Sequence, residues 1–136
     1  MKLKLALAMA ALFTTAAIGQ FPYKLHDTWK LGGDGSWDYM TVDAPAHILY
    51  IARLNRIMLV DTQSGHLLTE IKGLSHAHGI AFDTEGKVGY ISDGGAGTVL
   101  VFDRKNYSIL ATIPAGKNPD AISTSPPNIA SSPSMA

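Results

Sequence analysis

The chain has 136 residues, with 11 basic and 11 acidic side chains that cancel to zero net charge. That balance gives no basic footprint for nucleic acid and no acidic tail. Apolar residues make up 46%, too many for a disordered chain, and the absence of cysteine excludes disulfides, thiolate catalysis and cysteine–zinc sites.

Residues 1–19 read as an export signal. Lys2 and Lys4 supply a short positive region, and an apolar run extends from Leu5 to Ile18. Ala17 and Gly19 are small residues at the spacing a signal peptidase requires, so cleavage is expected before Gln20. A membrane anchor is the rival reading. The run is shorter than the roughly 20 residues a spanning helix needs, and Thr14 and Thr15 interrupt it. The expected location is the bacterial periplasm or the medium.

From residue 38 the sequence repeats. Asp43 matches Asp83 and Tyr50 matches Tyr90, each 40 residues on; Asp61 matches Asp103 and Ile71 matches Ile113, each 42 on. The glycine-rich "DGGAG" at 93–97 absorbs the two-residue difference, because a surface loop accepts an insertion cheaply. Four short apolar runs are predicted as strands in each copy. They lie at 39–42, 48–52, 57–60 and 67–71, then at 79–82, 88–92, 98–102 and 109–113. Their length and their Ile, Val, Leu, Tyr and Phe content favour strands over helices. Turns opened by Asp separate them, since its carboxylate bonds backbone N–H groups two residues on.

Four antiparallel strands recurring every 40–42 residues describe β-propeller blades, and an all-β partial ring of about two blades is expected. A β-sandwich is the competing architecture. The predicted blades cover 38–77 and 78–119, within a propeller region of 20–122. Upstream, Trp29 aligns with Thr69, Leu31 with Ile71 and Gly33 with Gly73, so 23–31 is expected as an isolated fourth strand. Residues 120–122 begin a third blade. The Ser- and Pro-rich stretch 123–136 breaks the pattern and is expected to be a disordered tail.

The order of these motifs resembles the YVTN-repeat β-propellers, including the YncE-like periplasmic proteins, over residues 23–122. "YISD" (90–93) and, more distantly, "YIAR" (50–53) stand where the family has its tetrapeptide. "RIMLVD" (56–61) and "TVLVFD" (98–103) stand for its third strand. "ATIPAG" (111–116) stands for the fourth strand with its glycine, and "KNPDAI" (117–122) comes after it. The resemblance implies a WD40/YVTN-like ring, of which this chain is a truncated member, with ligands at the channel rim.

Repeat phase then selects candidate site residues. Asp38, His78 and Asp120 each directly precede the first strand of a blade, so they are expected to line one arc of the rim, with Trp37 beside them. His76 and His78 form a His-x-His pair that could hold a metal ion; capping turns and bonding the next blade is the alternative role. No catalytic constellation is found and no cofactor is predicted. The expected function is a non-catalytic binding or scaffolding module. Its partner is a protein, polymer or small ligand at the propeller face, with self-association through uncovered blade faces. A metal-dependent lactonase or hydrolase, or a redox-cofactor propeller, is the alternative class. Nucleic acid and, after signal cleavage, membrane are not expected partners.

Overall fold

The computed structural model describes residues 23–125. The expected signal at 1–19 and most of the expected tail lie outside the described residues. Eight strands run in chain order: β1 (Met40–Asp43), β2 (Ile48–Arg53), β3 (Arg56–Asp61), β4 (Leu67–Lys72), β5 (Ala77–Phe82), β6 (Val88–Asp93), β7 (Thr98–Asp103) and β8 (Ile109–Pro114). They form two antiparallel sheets, β1-β2-β3-β4 and β5-β6-β7-β8, each a meander of neighbours in sequence.

The registers match the repeat phase. Ile48 faces Asp61 and Arg53 faces Arg56 in the first sheet; Val88 faces Asp103 and Asp93 faces Thr98 in the second. The β2–β3 turn is therefore Leu54–Asn55, and the β6–β7 turn spans residues 94–97. The extra two residues fall in the glycine-rich loop, where the sequence places them. Asp61 Oδ1 accepts from the Gln63 and Ser64 amides at 3.0 and 2.7 Å. Asp103 Oδ1 accepts from those of Lys105 and Asn106 at 2.7 and 3.0 Å. These are two of the four predicted Asp turns, one in each sheet, and the Ser64 hydrogen bonds hold the Asp61 carboxyl below its ordinary range.

The sheets stack face to face. Ile48, Tyr50, Ala52, Ile57, Leu59 and Ile71 from the first meet Ala77, Ile80, Ile91 and Phe102 from the second in one core. Tyr50 sits at its centre, its ring 4.9 Å from Phe82 edge-on and 6.0 Å from Phe102. Burial there pushes the Tyr50 hydroxyl up to about 12, with Tyr107 and Asp43 adding to the shift. Polar ties cross the junction as well. Thr41 Oγ1 donates to the Ile80 carbonyl at 2.7 Å. Arg104 pairs with the buried Asp43 and lies over the Phe82 ring at 4.5 Å.

The opposite face of the first sheet is also covered, which explains why β2 and β3 read as nearly continuous apolar runs. Ile51, Met58 and Val60 are buried there by Trp29 and Leu31. This corrects one expectation: 23–31 is not a strand. It lies across a sheet face rather than along a sheet edge, so its amides and carbonyls meet no ladder partner. Its packing still obeys the alignment, because Leu31 covers the first sheet as Ile71 covers the second.

Candidate functional site

At one end of the sheets the chain runs into β1 from residue 38 and into β5 from residues 73–76. The structure brings the aligned residues Asp38, His78 and Asp120 together there. His78 Nδ1 lies 2.6 Å from Asp38 Oδ2 and 3.9 Å from Asp120 Oδ1. A carboxylate only accepts, so Nδ1 carries the proton in this bond. The pair joins the two sheets across 40 residues of sequence. His78 is 8% exposed, while the side chains of Asp38 and Asp120 are 29% and 58% exposed. The imidazole is thus the buried hinge of the group, and the carboxylates are its solvent-facing part.

Around it the backbone is tightly fitted. Ser92 Oγ, buried, accepts from the Gly79 amide at 2.8 Å and donates to the Asp120 carbonyl. That bond holds 120–122 alongside β5, so closely that a Cβ on Gly79 would meet Ile122 Cγ2 at 3.0 Å. Gly94 has no side chain because His78 Nε2 and Asn118 Oδ1 occupy its Cβ space, at 2.5 and 2.6 Å. His78 Nε2 itself is buried with no hydrogen-bond partner. In the neutral ring it presents a lone pair.

The His76 and His78 rings lie side by side, 4.5 Å between centroids with a 33° tilt. Among the described residues no group of three or more His, Asp or Glu side chains is placed to hold a metal ion. The His76 amide instead bonds Asp93 Oδ1 at 2.7 Å, beside the Ser75 amide on Oδ2 at 2.8 Å.

Trp37 stands beside the rim, 55% exposed on one side. The other side carries the Arg53 guanidinium, 3.7 Å from the ring centre. Sequence reasoning misses Arg53, yet it organises this loop. It is 1% exposed and donates to the carbonyls of Gly32, Gly33, Asp34 and Gly35 at 2.7–3.1 Å. Arg56 also reaches the Asp34 carbonyl, at 2.8 Å. The signal lies in the repeat: Arg53 aligns with Asp93, a charge reversal at a position that grips the preceding linker in both sheets.

With this geometry in view, known structures place the fold. No protein-family model and no curated protein matches the chain. Solved structures do. The RRP9 WD40 repeats are 20% identical with a TM-score of 0.57, over 64% of this chain and 28% of that one. The Cps50 (Swd1) β-propeller domain from Myceliophteria thermophila is 11% identical with a TM-score of 0.59, over 67% and 30%. The two sheets are β-propeller blades. The dihydro-heme d1 dehydrogenase NirN, solved in complex with DHE, is 18% identical with a TM-score of 0.57, over 68% of this chain and 22% of that one. This chain thus spans less than a third of the length of each of these propellers. Blade 1 is β1–β4 and blade 2 is β5–β8. Asp38 lies two residues before β1, His78 is the second residue of β5, and Asp120 stands at the aligned position beyond β8.

Proposed function

We propose that the chain is an exported, YVTN-type propeller segment that acts as a non-catalytic binding or scaffolding module. Asp38, Asp120 and Trp37 form its contact surface at the channel rim, with His78 between the two carboxylates and Arg53 behind the Trp37 ring. One observation carries this reading: residues 40 and 42 apart in sequence converge on a single imidazole, with two carboxylates left facing solvent. The propeller fold is compatible with such a role, and the repeat motifs "YISD" and "TVLVFD" support the YVTN type. The charged and apolar pattern of residues 2–18 supports export, to the periplasm of a bacterium.

The test immobilises the full chain and, in parallel, Asp120→Asn and Trp37→Ala variants, and passes periplasmic extract over each. A species retained by the native chain and lost from both variants is the expected result. Retention that ignores both substitutions would remove the rim from the account. Mass spectrometry of the exported protein is expected to find Gln20 at its N-terminus.

A further inference from the structure

The blade junction inside the chain has two sides, and each side recurs elsewhere among the described residues, open on blade 2 and covered only in part, by residues 23–31, on blade 1. Blade 1 meets blade 2 through Ile48, Tyr50, Ile57, Leu59 and Ile71. The aligned residues on the far face of blade 2 are Val88, Tyr90, Val99, Val101 and Ile113. All five are partly or largely exposed. Blade 2 meets blade 1 through Ile80 and Phe82 of its inner strand. Their counterparts on the near face of blade 1 are Met40 and Val42, which are 65% and 57% exposed.

The polar complement repeats as well. Within the chain the junction is closed by Asp38 of blade 1 on His78 of blade 2. If blade 1 of another copy came after blade 2, its Asp38 would arrive at His78 from the other side. Asp120 now stands there, 3.9 Å from Nδ1. Residues 120–124 rest on side-chain tethers, Ser92 to the Asp120 carbonyl and Thr124 Oγ1 to the Phe82 carbonyl at 2.6 Å. Residues 23–31 belong to neither sheet and cover blade 1 where Ile113 of a preceding blade would lie. Both segments are stand-ins, held without a backbone ladder.

We propose that a second copy of this chain docks its blade 1 on the open face of blade 2, head to tail, displacing residues 120–124 of the first copy and residues 23–31 of the second, so that the second copy's Asp38 replaces Asp120 at His78. The contact is heterologous, so repetition closes a ring when the rotation per copy divides a full turn. Propellers of about four to eight blades correspond to about two to four copies. One tie is missing at this junction. Arg104 pairs with Asp43 inside the chain. Between copies the aligned residues are Thr62 and Asp83, so the second copy's Thr62 would face Asp83 with no cation.

Sedimentation velocity of the full chain, from micromolar to submillimolar concentration, tests this with three variants. The native mass is expected to rise with concentration. Val101→Glu, on the open face, keeps the chain monomeric. Thr62→Arg supplies the missing cation and tightens association about tenfold. Adding Asp83→Ala to Thr62→Arg abolishes that gain. Circular dichroism checks that each variant is folded. The proposal is overturned if Thr62→Arg associates no more tightly than the native chain, if its gain survives Asp83→Ala, or if folded Val101→Glu associates like the native chain.

Discussion

Arg53 and Asp93 occupy the same position in successive blades and hold the linker before each blade by opposite ends of the peptide group. Arg53 donates to the carbonyls of residues 32–35, and Asp93 accepts the amides of Ser75 and His76. A terminal side chain of β2 or β6 that reaches the preceding linker is the shared requirement. Its charge is set by which backbone groups the linker turns inward. Three glycines with positive φ, at 32, 33 and 35, turn carbonyls toward Arg53.

Arg53→Ala is therefore expected to cost about 2–3 kcal/mol, because four part-buried hydrogen bonds that hold the glycine loop are lost at once. Asp93→Ala is expected to cost about 2 kcal/mol for two amides. Urea unfolding monitored by tryptophan fluorescence measures both. Trp37 reports the Arg53 change directly, because the guanidinium covers its ring.

Gly89 faces the Phe102 ring so closely that a Cβ would overlap its Cζ and Cε1 atoms. Phe102 is fully buried at the blade junction and cannot move outward. Gly89→Ala is expected to destabilise the chain by about 1–3 kcal/mol through overpacking. Thermal melting checks this, and a melt unchanged from the native chain would mean the junction is looser than described.

The Asp38–His78 bond ties blade 1 to blade 2, so its loss should be felt by both. Asp38→Asn and His78→Gln are each expected to cost about 1–2 kcal/mol, with a double variant much less destabilised than the sum. A double-mutant cycle in urea measures that coupling. Additive losses would mean that the two side chains act independently.

Tyr50 gives a pH dependence whose sign is fixed by its burial. Its folded value is raised to about 12 from 10.0. The unfolded chain loses this proton first, so it binds fewer protons than the folded chain between those values. Stability is full below pH 10 and falls as pH rises toward 12, by about 2–3 kcal/mol over the window. Tyr50→Phe should remove that part of the alkaline loss in melting curves taken across the range.

All eight strands are legible in the sequence because blade strands carry their apolar residues in short, turn-bounded runs. So is the meeting of Asp38, His78 and Asp120, because repeat phase sets all three at one position of successive units. Residues 23–31 mislead: their side chains align with a fourth strand, but strand formation depends on a backbone neighbour that no side-chain pattern encodes. Arg53 escapes notice because "YIAR" departs from the tetrapeptide, although that departure marks the opposite-charge grip on the glycine loop. The Arg104–Asp43 tie is hidden in turn chemistry, where Arg104 reads as an ordinary polar turn residue after Asp103.

Stacking of the two blades is the relation on which the rim and the open faces both depend. A nuclear Overhauser spectrum of the full chain, with Tyr and Phe rings labelled, tests it most directly. Cross-peaks between the Tyr50 and Phe82 rings are predicted, from centroids 4.9 Å apart in different sheets. Intact cross-strand peaks within each sheet, with none between Tyr50 and Phe82, would contradict it.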